Sequence, residues 1–226
     1  MINKKLKLLI RNILYKKGCI ITRSMYYSDK KLNIGNYGDY NRISSLELIS
    51  NEIYERNISG NVAELGVYKG EFSSMINRCF PDRKLYLFDT FEGFDFKDIS
   101  IEKNNNFSSG EQDFSNTSIM LVLKKMKYKE NIIITKGRFP ESLAQLKDYN
   151  KLIFSFVSID VDLYQPTIEG LKFFYSKLQM GGYILVHDYN NKNYSGVKKA
   201  VREFCESNKV NYFPLNDTCG SVVIMK

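Results

Sequence analysis

The chain has 226 residues, 43% of them hydrophobic and 26% charged, which suits one sizeable α/β core with an additional segment and argues against an intrinsically disordered chain. Its net charge of +8 points either to an anionic partner, such as a nucleotide-activated sugar, a phosphorylated lipid or a membrane surface, or to a merely lysine-rich face; nucleic acid is disfavoured because no binding motif accompanies the charge. Four scattered cysteines without a C-x-x-C pair indicate reduced thiols in a cytoplasmic protein, and the single histidine, His187, confines any histidine-activated nucleophile to one place.

Residues 3–17 carry Leu6, Leu9, Ile10, Ile13 and Leu14 at helical spacing with basic residues opposite, which predicts a basic amphipathic helix. Arg11 interrupts the apolar run and no cleavage site follows, so this is not a signal peptide, and nothing in the chain is long enough to span a bilayer. Docking on the core, pairing with a second subunit in a homo-oligomer, and peripheral contact with the inner face of a membrane remain open uses. Residues 24–42, rich in Tyr, Asn, Asp and Gly, read as a loop that either covers a substrate or packs. Ser44 and Glu47 form a capping box that starts a helix bearing Leu46, Ile49 and Ile53. Residues 1–60 are thus expected as a helical extension with a lid segment, and 61–226 as the core.

The core opens with N-V-A-E-L-G-V-Y-K-G from Asn61: a strand over Val62–Leu65, a turn at Gly66 and Gly70, and a helix burying Phe72, Met75, Ile76 and Cys79. Strand, glycine turn and helix make a cofactor cradle, because glycine lets backbone approach the ligand and the helix N-terminus supplies N–H donors. The spacing is G-x-x-x-G, and neither G-x-G-x-x-G nor G-K-[ST] is present. A second strand ends at Asp89, about twenty residues on, where an acid serves either a ribose or a helix cap. Residues 95–114 read as a polar mobile loop near the site. A helix over Thr117–Lys127 and a strand over Asn131–Lys136 follow, then G-R-F-P-E-S-L.

The run F-S-F-V-S-I-D-V-D-L-Y from Phe154 to Tyr164 predicts a buried central strand ending in Asp160 and Asp162. In extended chain these two carboxylates share a side, about 6 to 7 Å apart. A helix over Pro166–Leu178, stopped by Gly181 and Gly182, leads to a strand over Gly182–Val186 that ends in His187, Asp188 and Tyr189. If the two strands are neighbours, Asp160, Asp162, His187 and Asp188 gather at the carboxyl edge of the sheet, where open α/β folds bind ligands. A helix over Gly196–Glu206 and strands over Val210–Phe213 and Ser221–Met225 complete a doubly wound, mostly parallel sheet with an antiparallel edge.

Five stretches in order, N-V-A-E-L-G-V-Y-K-G, L-Y-L-F-D-T-F-E-G-F, K-G-R-F-P-E-S-L, S-I-D-V-D-L-Y-Q-P-T and G-G-Y-I-L-V-H-D-Y, resemble the macrocin O-methyltransferase family (TylF, MycF and NovP type) from about Tyr40 onward. The resemblance implies a seven-stranded, Rossmann-like class I methyltransferase that moves the methyl group of S-adenosylmethionine to a hydroxyl of a sugar or glycan precursor with the help of a divalent metal, usually Mg2+. It implies that Glu64, Gly66 and Tyr68 hold the methionine part of the cofactor and Asp89 the ribose, that Gly70 and Thr90 also bind the cofactor, and that Arg138 lies near the adenine or the site wall. Asp160 and Asp188 match the metal ligands and Asp162 the general base. His187 stands where the antibiotic-tailoring members have an acid, so it is expected either to complete the ligand set, with Mn2+ or another ion as an alternative to Mg2+, or to orient the ligands without touching the metal. The acceptor is expected to be a small molecule, with a nucleotide-linked or lipid-linked sugar preferred over a catechol or peptide. A metal-dependent hydrolase using the same acids, and a non-catalytic cofactor-binding protein of the same fold, are the competing functions.

Overall fold

The structure is a computed structural model that describes residues 4–17 and 39–226. The chain divides into two compact units, 1–30 and 31–226. The first contains helix α1 (Lys4–Lys16), whose Leu6, Leu9, Ile10 and Ile13 are exposed. The second unit begins, among its described residues, with helix α2 (Tyr40–Glu55), so the expected boundary at residue 60 falls inside a single unit.

The described residues of that unit form a seven-stranded sheet in the order β3-β2-β1-β4-β5-β7-β6. Strands β1 (Asn61–Leu65), β2 (Leu85–Asp89), β3 (Ile132–Lys136), β4 (Phe154–Ile159) and β5 (Leu178–Val186) are parallel, and β7 (Val222–Met225) runs antiparallel between β5 and β6 (Tyr212–Pro214). Side-chain alternation sorts the residues into two layers. Val62, Leu85, Leu87, Phe156 and Leu185 pack beneath α2, α3 (Glu71–Cys79) and α5 (Ile119–Lys125), and Ala63, Leu65, Phe88, Phe154 and Val157 pack beneath α6 (Tyr164–Lys177) and α7 (Ser195–Asn208). Each large apolar side chain buried this way contributes about 1.5 to 3 kcal/mol. Because the order of connection reverses between β1 and β4, the carboxyl ends of these two strands open a crevice, and the site lies there.

The sheet and its connections follow the sequence expectation, with four differences. Helix α2 starts at Tyr40, capped by Asp39, whose Oδ1 accepts from the Arg42 N–H at 3.1 Å, and not at Ser44 with Glu47. Residues 95–114 are not all loop: α4 (Phe96–Asn104) is capped by Asp95, which accepts from the Lys97 N–H at 2.8 Å. Strand β5 begins at Leu178, so the glycine pair 181–182 lies within it. Helix α6 starts at Tyr164, which puts Pro166 in its first turn, where no backbone donor is needed.

Candidate active site

Two walls face one cavity of about 400 Å³, a size typical of small-molecule sites. The first wall is the turn after β1. Gly66 has φ +87°, and a Cβ there would lie 1.9 Å from the Asp160 carbonyl oxygen, so glycine is required by the close approach of β1 and β4 as well as by the backbone angle. Tyr68 is also left-handed, at φ 48°. Asp89 at the end of β2 holds this turn: its Oδ2 accepts from the Val67 N–H at 2.6 Å and the Tyr68 N–H at 2.9 Å, and its Oδ1 accepts from Phe91 N–H at 2.6 Å. Asp89 is not a helix cap, since α3 is capped by Gly70 and α4 by Asp95; its carboxylate fastens the loop and also lines the cavity. Glu64 is 1% exposed and accepts a hydrogen bond from the Ser73 hydroxyl. Burial pushes its carboxyl up to about 8, against the pull of Ser73 and Arg42.

The remaining expected cofactor residues divide. Thr90 lines the cavity, but its hydroxyl donates to the Gly93 carbonyl at 2.5 Å. Arg138 also lines it, while its guanidinium donates to Asp98 at 2.6 Å and to Glu141 at 2.5 Å. Both thus offer their flanks more readily than their polar ends. Gly70 is not part of the cavity wall. It caps α3 at φ +75°, where Val122 packs so closely that a Cβ would sit 2.9 Å from a methyl carbon.

The second wall is acidic. Strand β4 ends at Ile159 and pairs with Val186 of β5, so Asp160 and His187 emerge side by side. Asp162 is not in extended chain: it is left-handed at φ 59°, as is Asp188 at φ 58°. The same-side argument for Asp160 and Asp162 fails in its backbone premise, yet the turn brings the acids together all the same. Ligand oxygens of Asp160, Asp162 and Asp188 lie within 4.8 Å of one another. His187 Nδ1 sits 3.0 Å from Asp160 Oδ1 and 2.5 Å from Asp188 Oδ2, and Asn191 donates to Asp188 Oδ1 at 2.7 Å. His187 is not in the three-carboxylate group. It shares other potential donor groups, one with Asp188 and Cys219 and one with Asp39 and Asp217.

The sequence alone did not reveal Arg42. From the first turn of α2 it reaches Asp160 Oδ2 at 2.8 Å, and its guanidinium lies 3.9 Å over the Phe72 ring. Only recognition of Asp39 as the helix cap would have put Arg42 on a helix here. Burial alone would raise Asp160, but Arg42 and His187 hold its carboxyl far below the usual range. Burial alone would lower His187, but Asp160 and Asp188 raise it to about 10, so the imidazole is charged at neutral pH. Asp162 is pushed well up by its own burial and by the neighbouring Asp188 and Asp160. Three carboxylates against two cations leave one negative charge over, and that excess is part of what pushes Asp162 up. A hard divalent cation fits the same place, because the donors are all oxygens and the charge deficit is built in. An aromatic wall closes the cavity: Phe94 stacks edge-on to Phe114 and Tyr194, and the Tyr194 hydroxyl donates to Gln112 at 2.5 Å.

The model of the macrocin-O-methyltransferase (TylF) family matches residues 34–224. The chain belongs to this family. It is accordingly an S-adenosylmethionine-dependent O-methyltransferase, and the hydrolase and non-catalytic alternatives are set aside. No curated protein matches the sequence. Among solved structures the chain is similar to the calicheamicin methyltransferase CalS11, at 15% identity and TM-score 0.69 over 100% of this chain and 94% of that one. It is also similar to the O-methyltransferase NovP, at 18% identity and TM-score 0.59 over 82% of this chain and 79% of that one. An O-methyltransferase from Bacillus cereus in complex with SAH aligns at 10% identity and TM-score 0.53, over 100% and 92% of the two chains. At these identities the structural likenesses bear on the fold, and they agree with a Rossmann-like class I methyltransferase.

Proposed function

We propose that the protein is a cytoplasmic, metal-dependent sugar O-methyltransferase, acting on a free hydroxyl of a nucleotide-linked or lipid-linked sugar. The observation that carries this reading is the meeting of the Asp160, Asp162 and Asp188 carboxylates opposite the glycine turn in one cavity. CalS11 is a TDP-rhamnose 3'-O-methyltransferase, which supports a sugar acceptor, and the buried free thiol of Cys205 supports a reducing compartment.

In this reading the β1 turn and Glu64 hold the methionine part of S-adenosylmethionine, Glu64 pairing with its ammonium group, while Asp89 faces the ribose. Asp160 and Asp188 would hold the cation, and Asp162 stands beside them. Bound there, a divalent cation supplies the positive charge that lets all three carboxylates ionise and acidifies an acceptor hydroxyl. Asp162 takes the hydroxyl proton while the new O–C bond forms and the S–C bond of the sulfonium breaks, leaving S-adenosylhomocysteine. His187 aligns Asp160 and Asp188 through Nδ1 and is assigned here as an orienting residue in place of a metal ligand. The walls around Phe94, Phe114 and Tyr194 exclude water from the transfer and give a sugar ring apolar faces to lie against.

The test is a comparison of Asp162→Asn with Asp160→Asn on a panel of nucleotide sugars. Asp162→Asn is expected to lower turnover about 100-fold or more while retaining cation binding, and Asp160→Asn to lose both. Near-normal turnover in Asp162→Asn would remove it from the role of base.

A further inference from the structure

We infer that α1 is a docking element for an anionic lipid bilayer. The charge of the chain is unevenly distributed. Residues 1–28 contain seven of the 33 basic residues and none of the 25 acidic ones, which leaves 26 basic against 25 acidic in all that follows. Almost the whole excess charge therefore belongs to the segment that contains this helix, and the catalytic unit is close to neutral.

The helix has the other property such a surface requires. Leu6, Leu9, Ile10 and Ile13 follow i, i+3, i+4, i+7 spacing and form one stripe, yet they are 48%, 56%, 39% and 49% exposed. Arg11 and Asn12, also exposed, lie off that stripe, as does the exposed Leu8, while Lys16, seven residues after Leu9, stands at its edge. Thirteen residues make a helix of about 20 Å, too short to cross a hydrocarbon core of about 30 Å, and among the described residues no helix is long and apolar enough to cross a membrane. An apolar stripe in a segment with seven basic residues and no acid suits the interface between acyl chains and anionic headgroups. A second copy is the poorer occupant, because two such segments would bring like charges together without a single carboxylate to pair them.

The full-length protein, sedimented with vesicles of phosphatidylcholine or of phosphatidylcholine and phosphatidylglycerol in equal parts, tests this. The bound fraction is expected to be about tenfold higher on the anionic vesicles and to fall in high salt. The double substitution Leu9→Glu with Ile13→Glu is expected to abolish binding at an unchanged unfolding midpoint and unchanged S-adenosylmethionine affinity. Lys4→Glu with Lys5→Glu is expected to lose the preference for anionic vesicles. Equal or absent binding to the two vesicle types would overturn the inference, as would binding that survives Leu9→Glu with Ile13→Glu. A wild-type dimer that this double substitution dissolves, without vesicle binding, would assign the stripe to a second copy and overturn it as well.

Discussion

At the ends of β1 and β2 the cavity wall is backbone, set by a glycine at φ +87° and fastened by the bonds of Asp89 to the N–H groups of Val67, Tyr68 and Phe91. At the ends of β4 and β5 it is side-chain charge, in which Asp160, Asp162 and Asp188 are balanced by His187 and by Arg42 from a helix more than a hundred residues away in sequence. The first wall is a matter of shape and tolerates no added atom. The second is a matter of balance and responds to protons, cations and the loss of a counter-charge.

The largest effect separating the two walls is expected from Gly66→Ala. The added carbon would stand 1.9 Å from the Asp160 carbonyl, so β1 and β4 must part. A loss of about 3 kcal/mol or more in urea unfolding and loss of cofactor binding are expected; wild-type stability would contradict the shape argument.

On the second wall, Arg42→Gln removes one partner of a largely buried ion pair. Since Asp160 is 24% exposed, the expected cost in metal-stripped protein is about 2 kcal/mol, below the 3 to 5 typical of fully buried pairs. Saturating Mn2+ should recover part of it, because the cation supplies charge to the same carboxylates. Equal loss with and without Mn2+ would show that Arg42 acts through packing on Phe72.

Glu64→Gln probes charge on the wall otherwise built from backbone, and a loss of about tenfold in S-adenosylmethionine affinity by titration calorimetry is expected. Glu64 is held near 8, so an ammonium group must draw off its proton. Wild-type affinity should rise with pH toward about 8, and the Gln variant should lose this Glu64-dependent component.

The smallest effect is a pH dependence of stability. The folded value of His187, about 10, lies above the ordinary 6.5. Its stabilising pairing with Asp160 and Asp188 is therefore fully present below pH 6.5 and is lost as pH rises through about 10. The melting temperature of metal-stripped protein should fall by a few degrees between pH 7 and 10 more than that of His187→Gln.

The same contrast explains what the sequence disclosed. Apolar runs, turn glycines and strand-terminal acids act over a few residues, so β1 to β5, the Gly66 turn and the cluster of Asp160, Asp162 and Asp188 were legible. Helix α4 was not, because its buried side includes Asp98 and Glu102. Arg138 and the Tyr164 N–H satisfy these acids from distant parts of the chain, and no apolar period marks the helix. The start of α2 was missed because S-x-x-E is the stronger local signal, whereas Asp39 sits among turn-forming residues and is further fixed by the Thr218 N–H, which donates to its Oδ2 at 3.0 Å. With that start went Arg42, whose partner lies 118 residues away.

In the proposed function one cavity takes a cofactor on its backbone wall and a cation on its acidic wall. This arrangement is tested most directly by calorimetric titration of metal-stripped protein with S-adenosylmethionine, then with Mg2+ or Mn2+, in wild type and Asp188→Ala. One-to-one cofactor binding in both proteins, with a cation site present only in the wild type, is the expected result. Cofactor binding with no cation site in the wild type, or a cation site that persists in Asp188→Ala, would contradict the account.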